Sequence, residues 1–138
     1  MSLFKIFDVA GSAMSAQTVR LNVVASNLAN ADNVSGTEQG AYKAKHPVFK
    51  TLLDSAHNGD KSSAGVAVSG IVESTEPAQK RYMPQHPLAD TEGYVYLPNI
   101  NPIEEMVNMI SASRSYQSNV EVMNTSKELL LRTLGLGQ

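Results

Sequence analysis

The chain reads as mainly α with a small β insert: long helices at both ends packing in coiled-coil fashion, with short antiparallel strands between them. Three observations lead there. A heptad pattern runs through each end of the chain. All six Pro, and all but three of the nine Gly, lie between the two heptad segments. Inside that middle zone, short runs of alternating Val and Tyr are bounded by turn residues. The organisation expected is an N-terminal helix over residues 1–32, a loop and small β subdomain over 33–102, and a C-terminal helix over 103–138.

The first zone contains no Pro, and its seam is Leu3, Phe7, Ala10, Met14, Gln17, Leu21, Val24, Leu28 and Ala31. Alternating steps of four and three are the spacing of helices packed side by side. Lys5, Asp8 and Arg20 are the charged residues before Asp32. A solvated helix carries more charge on its outer face, so this one is suited to being surrounded on more than one side. Asn27 and Asn30, near its end, read as residues that bond to backbone and help terminate it.

The middle zone opens on turn chemistry, Asn30 to Gly40, and has a second turn signal at Asn58-Gly59. Val66, Val68 and Val72 alternate with smaller or polar residues, as in a half-buried strand. Gln79 to Met83 and Tyr94 to Leu97 read as further strands, kept short or at an edge by Pro77, Pro84 and Pro87. So few strands are marginal alone, so they are expected to lean on a helix or a neighbour. Phe49 and Leu53, four residues apart, suggest a helical turn packing on the core.

The third zone starts at Asn101-Pro102, an N-cap and a first-turn Pro, followed by Glu104 and Glu105 where the helix dipole favours carboxylates. Its seam is Met106, Met109, Ser113, Tyr116, Val120, Met123, Lys127, Leu130 and Leu134, widened at the start by Ile103, Val107 and Ile110. Gly135 and Gly137 are placed to end the helix. A two-helix hairpin has too little core to bury seams this wide, which makes association with further copies or relatives the natural remedy. The residues expected to pack between subunits are Leu21, Val24, Leu28, Met106, Met109, Tyr116, Val120, Met123, Leu130 and Leu134.

Composition narrows the function. Eleven basic and thirteen acidic residues leave a formal charge of −2, unlike the basic stripe of a nucleic-acid binder. Charged residues are 17 % of the chain, against about 25 % in ordinary globular domains, as suits a surface covered by partners. The absence of Cys excludes disulfides, thiolate chemistry and Cys-type zinc sites. The first thirty-one residues interleave polar and apolar side chains, so no cleaved signal peptide is expected. No run approaches the ~20 apolar residues of a membrane span.

Catalytic and metal constellations are not formed. His46, His57 and His86 lack the close spacing of metal ligands. Asp90 and Glu92, with Asp54 or Asp60, are loop carboxylates with no sign of a cleft. Ser111, Ser113 and Ser115 sit within a helix pattern, without a nucleophile elbow. Met106, Met109 and Met123 at heptad spacing are adaptable packing. No enzyme activity, cofactor, metal or small-molecule substrate is expected.

The residues Ser26, Asn27, Leu28, Ala29, Asn30 and Ala31 (SNLANA), following an amphipathic helix, resemble the N-terminal signature of the flagellar rod and hook axial-protein family. In many such sequences this signature runs quickly into a Thr-x-Gly-Tyr-Lys-like segment. Here an insertion intervenes, and the match resumes at Ala41 to Lys45 (AYKAK) and Pro47-Val48-Phe49. His86 to Asn99 (HPLADTEGYVYLPN), Asn101 to Tyr116 (NPIEEMVNMISASRSY) and Asn119 to Gln138 resemble proximal-rod members of the same family. The resemblance implies a structural axial subunit, exported unfolded through the flagellar type III apparatus and assembled in the periplasmic part of the basal body. It implies terminal helices packed as an inner layer with the β segment further out. Its expected partners are copies of itself, other rod proteins, and export-gate and basal-body components, in a torque-transmitting rod around a channel. Against that background Phe49-x-x-x-Leu53 also resembles the short hydrophobic element by which early substrates engage the export gate.

Overall fold

A computed structural model describes residues 3–53 and 64–135. The elements follow in the order α1 (Leu3–Asn30), β1 (Lys45–Leu53), β2 (Ala64–Glu73), β3 (Gln79–Tyr82), β4 (Tyr94–Leu97) and α2 (Pro102–Gly135). Two long helices and two small antiparallel sheets therefore make up the described chain. Helix α2 begins as its sequence requires: the Ile103 amide donates to Asn101 Oδ1 at 3.1 Å, and the Glu105 amide to the Asn101 carbonyl at 3.1 Å. That cap satisfies donors that no residue inside the helix can reach.

The helices pack antiparallel. Asn27 meets Glu105 and, two turns back along α1, Arg20 meets Asn108. At 1.5 Å per residue this register carries the last turn and a half of α2 past the described start of α1. Small side chains permit the close approach: Ala10, Ala16 and Ala112 are buried, together with Val23 and Val24. On α2 the buried residues are Glu105, Ala112 and Ser126. Each stands one position before Met106, Ser113 or Lys127 of the expected seam.

β1 and β2 form one hairpin, from Lys45 opposite Glu73 to Leu53 opposite Ala64, with a bulge at Val48/Phe49. It lies along α1. Its open end is tied to Asn27 through Lys45, and its far end meets Ser12, whose hydroxyl accepts from the Val66 amide at 3.2 Å. The two lengths agree: the fifteen residues of helix and the matching strand each span about 22 Å. Gly65 faces this contact, where an added Cβ would come within 3.2 Å of Ser12 Oγ. Phe49 and Leu53 thus lie in a strand and not in the helical turn their spacing suggested. Pairing with β2 supplies the backbone partners that a local turn would have supplied.

The second sheet pairs Gln79–Tyr82 with Tyr94–Leu97, and a bridge from Ser35 to Tyr96 adds the loop after α1 to its other edge. Tyr82 and Tyr94, directly opposite, stack edge-to-face at 5.3 Å. The Lys80 ammonium sits 5.6 Å from the Tyr96 ring. Val95 is fully buried beneath. The expected single β subdomain is therefore two separate ribbons, one along α1 and one beyond its end.

Gly93 closes the turn between β3 and β4 with φ +84°, and a Cβ there would lie 2.9 Å from the Tyr82 ring and 3.2 Å from Pro84. We expect Gly93→Ala to cost about 1–2 kcal/mol from backbone strain alone, measured as a lower urea midpoint. An unchanged midpoint would show that this turn is not set by the left-handed conformation.

Candidate functional site

The residues of the SNLANA signature come together with the displaced AYK segment at one buried polar junction. Asn27 is wholly inaccessible to solvent. Its Oδ1 accepts from the Lys45 amide at 2.9 Å and from the Tyr42 hydroxyl at 3.2 Å. Its Nδ2 donates to the Lys45 carbonyl at 2.9 Å and to Glu105 Oε2 at 3.2 Å. A flipped amide would set donors against donors, so the network fixes its orientation. One side chain thereby joins α1, the start of β1 and the first turn of α2. Ser26 shares the Tyr42 hydroxyl at 3.1 Å, and Asn30 Nδ2 donates to the Ser26 carbonyl at 2.8 Å. Ala31 packs with Ala44, Ile100 and the Tyr42 ring in the apolar cluster below. Of the remaining signature residues, Leu28 is half-buried and Ala29 exposed.

Asn30 thus bonds its own helix, as its position suggested. Asn27 bonds backbone too, but that of β1 and not of α1. Its partners Tyr42, Lys45 and Glu105 were not singled out as site residues from sequence. The available signal was the AYKAK match itself, which places Tyr42 and Lys45 beside the signature in spite of the insertion.

The second feature is apolar. Ile103, Met106, Val107 and Ile110 recur at helical spacing on α2 and are 73, 50, 61 and 55 % exposed. They lie on the side of α2 turned away from Glu105 and Ala112, about half a turn round the helix. Further along, Val122, Leu129, Leu131 and Leu134 are also largely exposed. Among the residues expected to pack between subunits, Val24 is buried inside the chain. Leu21, Leu28, Met109, Val120, Met123 and Leu130 are half-buried, and Met106, Tyr116 and Leu134 are exposed. The sequence had grouped Ile103, Val107 and Ile110 with the seam as a widening; they form a distinct outward stripe.

The loop carboxylate Asp90 has a structural use. Its Oδ1 accepts from the Tyr94 and Glu92 amides at 2.8 and 2.9 Å, and Oδ2 lies 3.4 Å from the Tyr96 hydroxyl. The Tyr94 amide is the chief cause that holds the carboxyl below its ordinary range. A depressed carboxyl adds stability above its unfolded pKa and loses it as pH falls through the lower folded value. Protection of the Tyr94 amide from exchange should therefore persist at pH 5 and fade only below about 3.9. Asp90→Asn should remove that pH dependence while keeping the turn; a profile identical to wild type would contradict the assignment. His46 is exposed, and His86 Nδ1 accepts from the Leu88 amide at 3.2 Å. His57, Asp54 and Asp60 lie outside the described residues. No helix among the described residues is long and apolar enough to cross a membrane.

Comparison with known proteins meets these two regions from both ends. A family model described as flagella basal body rod protein matches residues 7–36, and one for the C-terminal part of flagellar basal body rod FlgEFG proteins matches residues 91–136. Full-length similarity is closer still. The flagellar basal-body rod protein FlgC of Salmonella typhimurium is 52% identical over 138 residues, covering 100% of both chains. That of Yersinia enterocolitica is 53% identical over the same span, again covering 100% of both. That of Bacillus subtilis is 36% identical over 150 aligned positions, with 100% of both chains covered. The chain therefore belongs to the FlgC family of flagellar basal-body rod proteins and is a structural subunit of the rod.

Proposed function

We propose that this subunit polymerises through its two terminal helices, which pack against neighbours in coiled-coil fashion to form the channel-enclosing inner layer of the proximal rod. Residues 1–32 and 103–138 are the inner domain in this reading, and residues 33–102 lie further out. Exposed apolar side chains along α2 are the observation that supports it most: Ile103, Val107, Leu131 and Leu134 are 73, 61, 60 and 69 % exposed, where a free monomer gains nothing from exposure.

Torque transmission needs stiff elements with a large contact area per subunit, which helices of 28 and 34 residues provide. The function is mechanical and not enzymatic. Its partners are copies of itself, other rod proteins, and export-gate and basal-body components, with neither nucleic acid nor a small-molecule substrate. Small internal side chains between the helices leave the isolated chain only modestly stable, which favours passage unfolded through the type III apparatus without a cleaved signal.

Leu134 tests the reading, since it is 69 % exposed and lies on the overhang of α2. Leu134→Asp should leave synthesis and monomer stability unchanged within about 0.5 kcal/mol, yet abolish rods in isolated basal bodies and stop swimming. Leu130→Asp should do the same to assembly. Normal rods in both strains would sink the reading.

A further inference from the structure

We propose that the β3–β4 sheet and the loop after α1 form one flap that pivots on the rest of the subunit. The pivot stands on the fold; only its use rests on the rod reading above. Among the described elements, α1 contacts α2, β1 and β2, whereas β3 and β4 contact each other and no other element. What holds this sheet is the loop. Ser35 exchanges two backbone hydrogen bonds with Tyr96, at 2.8 and 2.9 Å. A Cβ on Gly36 would lie 3.0 Å from the Leu88 carbonyl oxygen, so loop and sheet pack without space between them. The loop also closes on itself: the Gly40 amide donates to the Thr37 carbonyl and hydroxyl at 3.2 and 3.1 Å, and the Ala41 amide to the Glu38 carbonyl at 3.3 Å. Loop and sheet therefore travel together.

The body begins one residue on. Tyr42 is bonded to Ser26 and Asn27, Ser74 donates its amide to the Ala44 carbonyl, and Ile100 packs with Ala31 and Ala44. The chain thus crosses between flap and body at Asn33–Val34, Ala41–Tyr42, Thr75–Ala78 and Pro98–Asn99. At this joint lies an open cleft of about 280 Å³, with Glu38 and Gln39 on the flap side and Tyr42, Lys43 and Ala44 on the body side. The side-chain bonds along the crossings, Gln79 to Asn99 at 2.8 Å and Asn99 to Glu76 at 2.9 Å, are exposed to solvent. A unit joined by exposed bonds, with a cleft at the joint and no element packed across it, opens at low cost. The helices, clamped by Asn27, keep their packing meanwhile. In a rod, where one chain meets unlike neighbours, the flap can follow each neighbour without disturbing that clamp.

The chain has no Cys, so paired spin labels report only where they are placed. Ser15 and Ser69 are exposed on the body, Glu38 and Glu92 on the flap. Four purified full-length double variants are labelled, and distance distributions are measured by pulsed electron paramagnetic resonance. Ser15→Cys with Ser69→Cys lies within the body, and Glu38→Cys with Glu92→Cys within the flap. Ser15→Cys with Glu92→Cys, and Ser69→Cys with Glu38→Cys, span the joint. Both spanning pairs should give distributions about twice as wide as both internal pairs. Spanning pairs as narrow as the body pair overturn the pivot. A flap pair as wide as the spanning pairs overturns the joint movement of loop and sheet, and four wide distributions show that the body is no fixed support and overturn it too. Ser35→Pro, which removes the amide bonded to Tyr96, should widen the flap pair; an unchanged width means that this bridge does not join loop to sheet and overturns the flap. All these widths are read on the isolated chain. Absence of the chain from basal bodies would remove the rod reading and leave the pivot standing.

Discussion

Asn27→Leu should destabilise the isolated chain by about 4 kcal/mol, since each buried polar group left without a partner costs about 1–3 kcal/mol and the penalties are not fully additive. Leucine is close to asparagine in size, so the cavity contribution is small and the loss reports the hydrogen bonds. The substitution strips a partner from the Lys45 amide and carbonyl, the Tyr42 hydroxyl and the Glu105 carboxylate together. Glu105 is 7 % exposed, and water reaches it poorly. A loss of that size is much of the stability of an ordinary small domain. Asn27→Asp separates bonding from bulk. It keeps the acceptor toward Lys45 and Tyr42 but turns a carboxylate toward the Lys45 carbonyl and Glu105. Adding Glu105→Gln should recover part of the loss, because the amide can donate where the two carboxylates repelled each other. Urea unfolding of the wild type, Asn27→Asp, Glu105→Gln and the double variant gives the cycle, with Asn27→Leu measured beside it. An Asn27→Leu chain within about 1 kcal/mol of wild type, or no recovery in the double variant, would refute the junction as the clamp between helices and hairpin.

Ile103→Asp combined with Val107→Asp should do the reverse: leave the monomer intact and destroy assembly. At 73 and 61 % exposure these side chains contribute little within the chain. Carboxylates in the first turns of a helix are favoured by its dipole, so the monomer midpoint should move by no more than about 0.5 kcal/mol. In the polymer the same residues would place two charges in a desolvated apolar contact, a penalty of several kcal/mol for each ion left unpaired. The expected phenotype is a secreted or cytoplasmic pool of well-folded chain with no rod and no swimming. Normal motility would show that this stripe faces solvent in the finished rod. Together the two variants divide the chain's polar and apolar resources: Asn27 acts within the subunit, and the stripe acts between subunits.

Much of the fold was legible from residue order. Pro-free heptads bounded by Asn101-Pro102 and by the Asn30–Gly40 turns mark both helices, because capping and periodicity are local properties. Val66–Val72, Gln79–Met83 and Tyr94–Leu97 mark three of the four strands for the same reason. β1 escaped because Lys45–Leu53 shows no alternation and carries Pro47. Its strand conformation depends on β2, whose paired residues lie up to 28 positions away at Lys45 and Glu73. The charge-poor character of α1 was also visible, and its cause is now clear: it touches α2 and both strands of the hairpin.

What residue order determined by itself, then, was the length and type of the long elements, the family signature, and the excess of apolar surface over available core. Only the tertiary structure decided which side of α2 turns inward. Apolar residues on α2 cover more than one stripe, and periodicity cannot rank stripes of similar hydrophobicity. The choice falls to Glu105, Ala112 and Ser126 because two helices approach closely only where side chains are small or meet a matched polar partner. That partner, Asn27, lies 78 residues away. Contacts across such a distance are set by packing, and no local pattern in the chain encodes them.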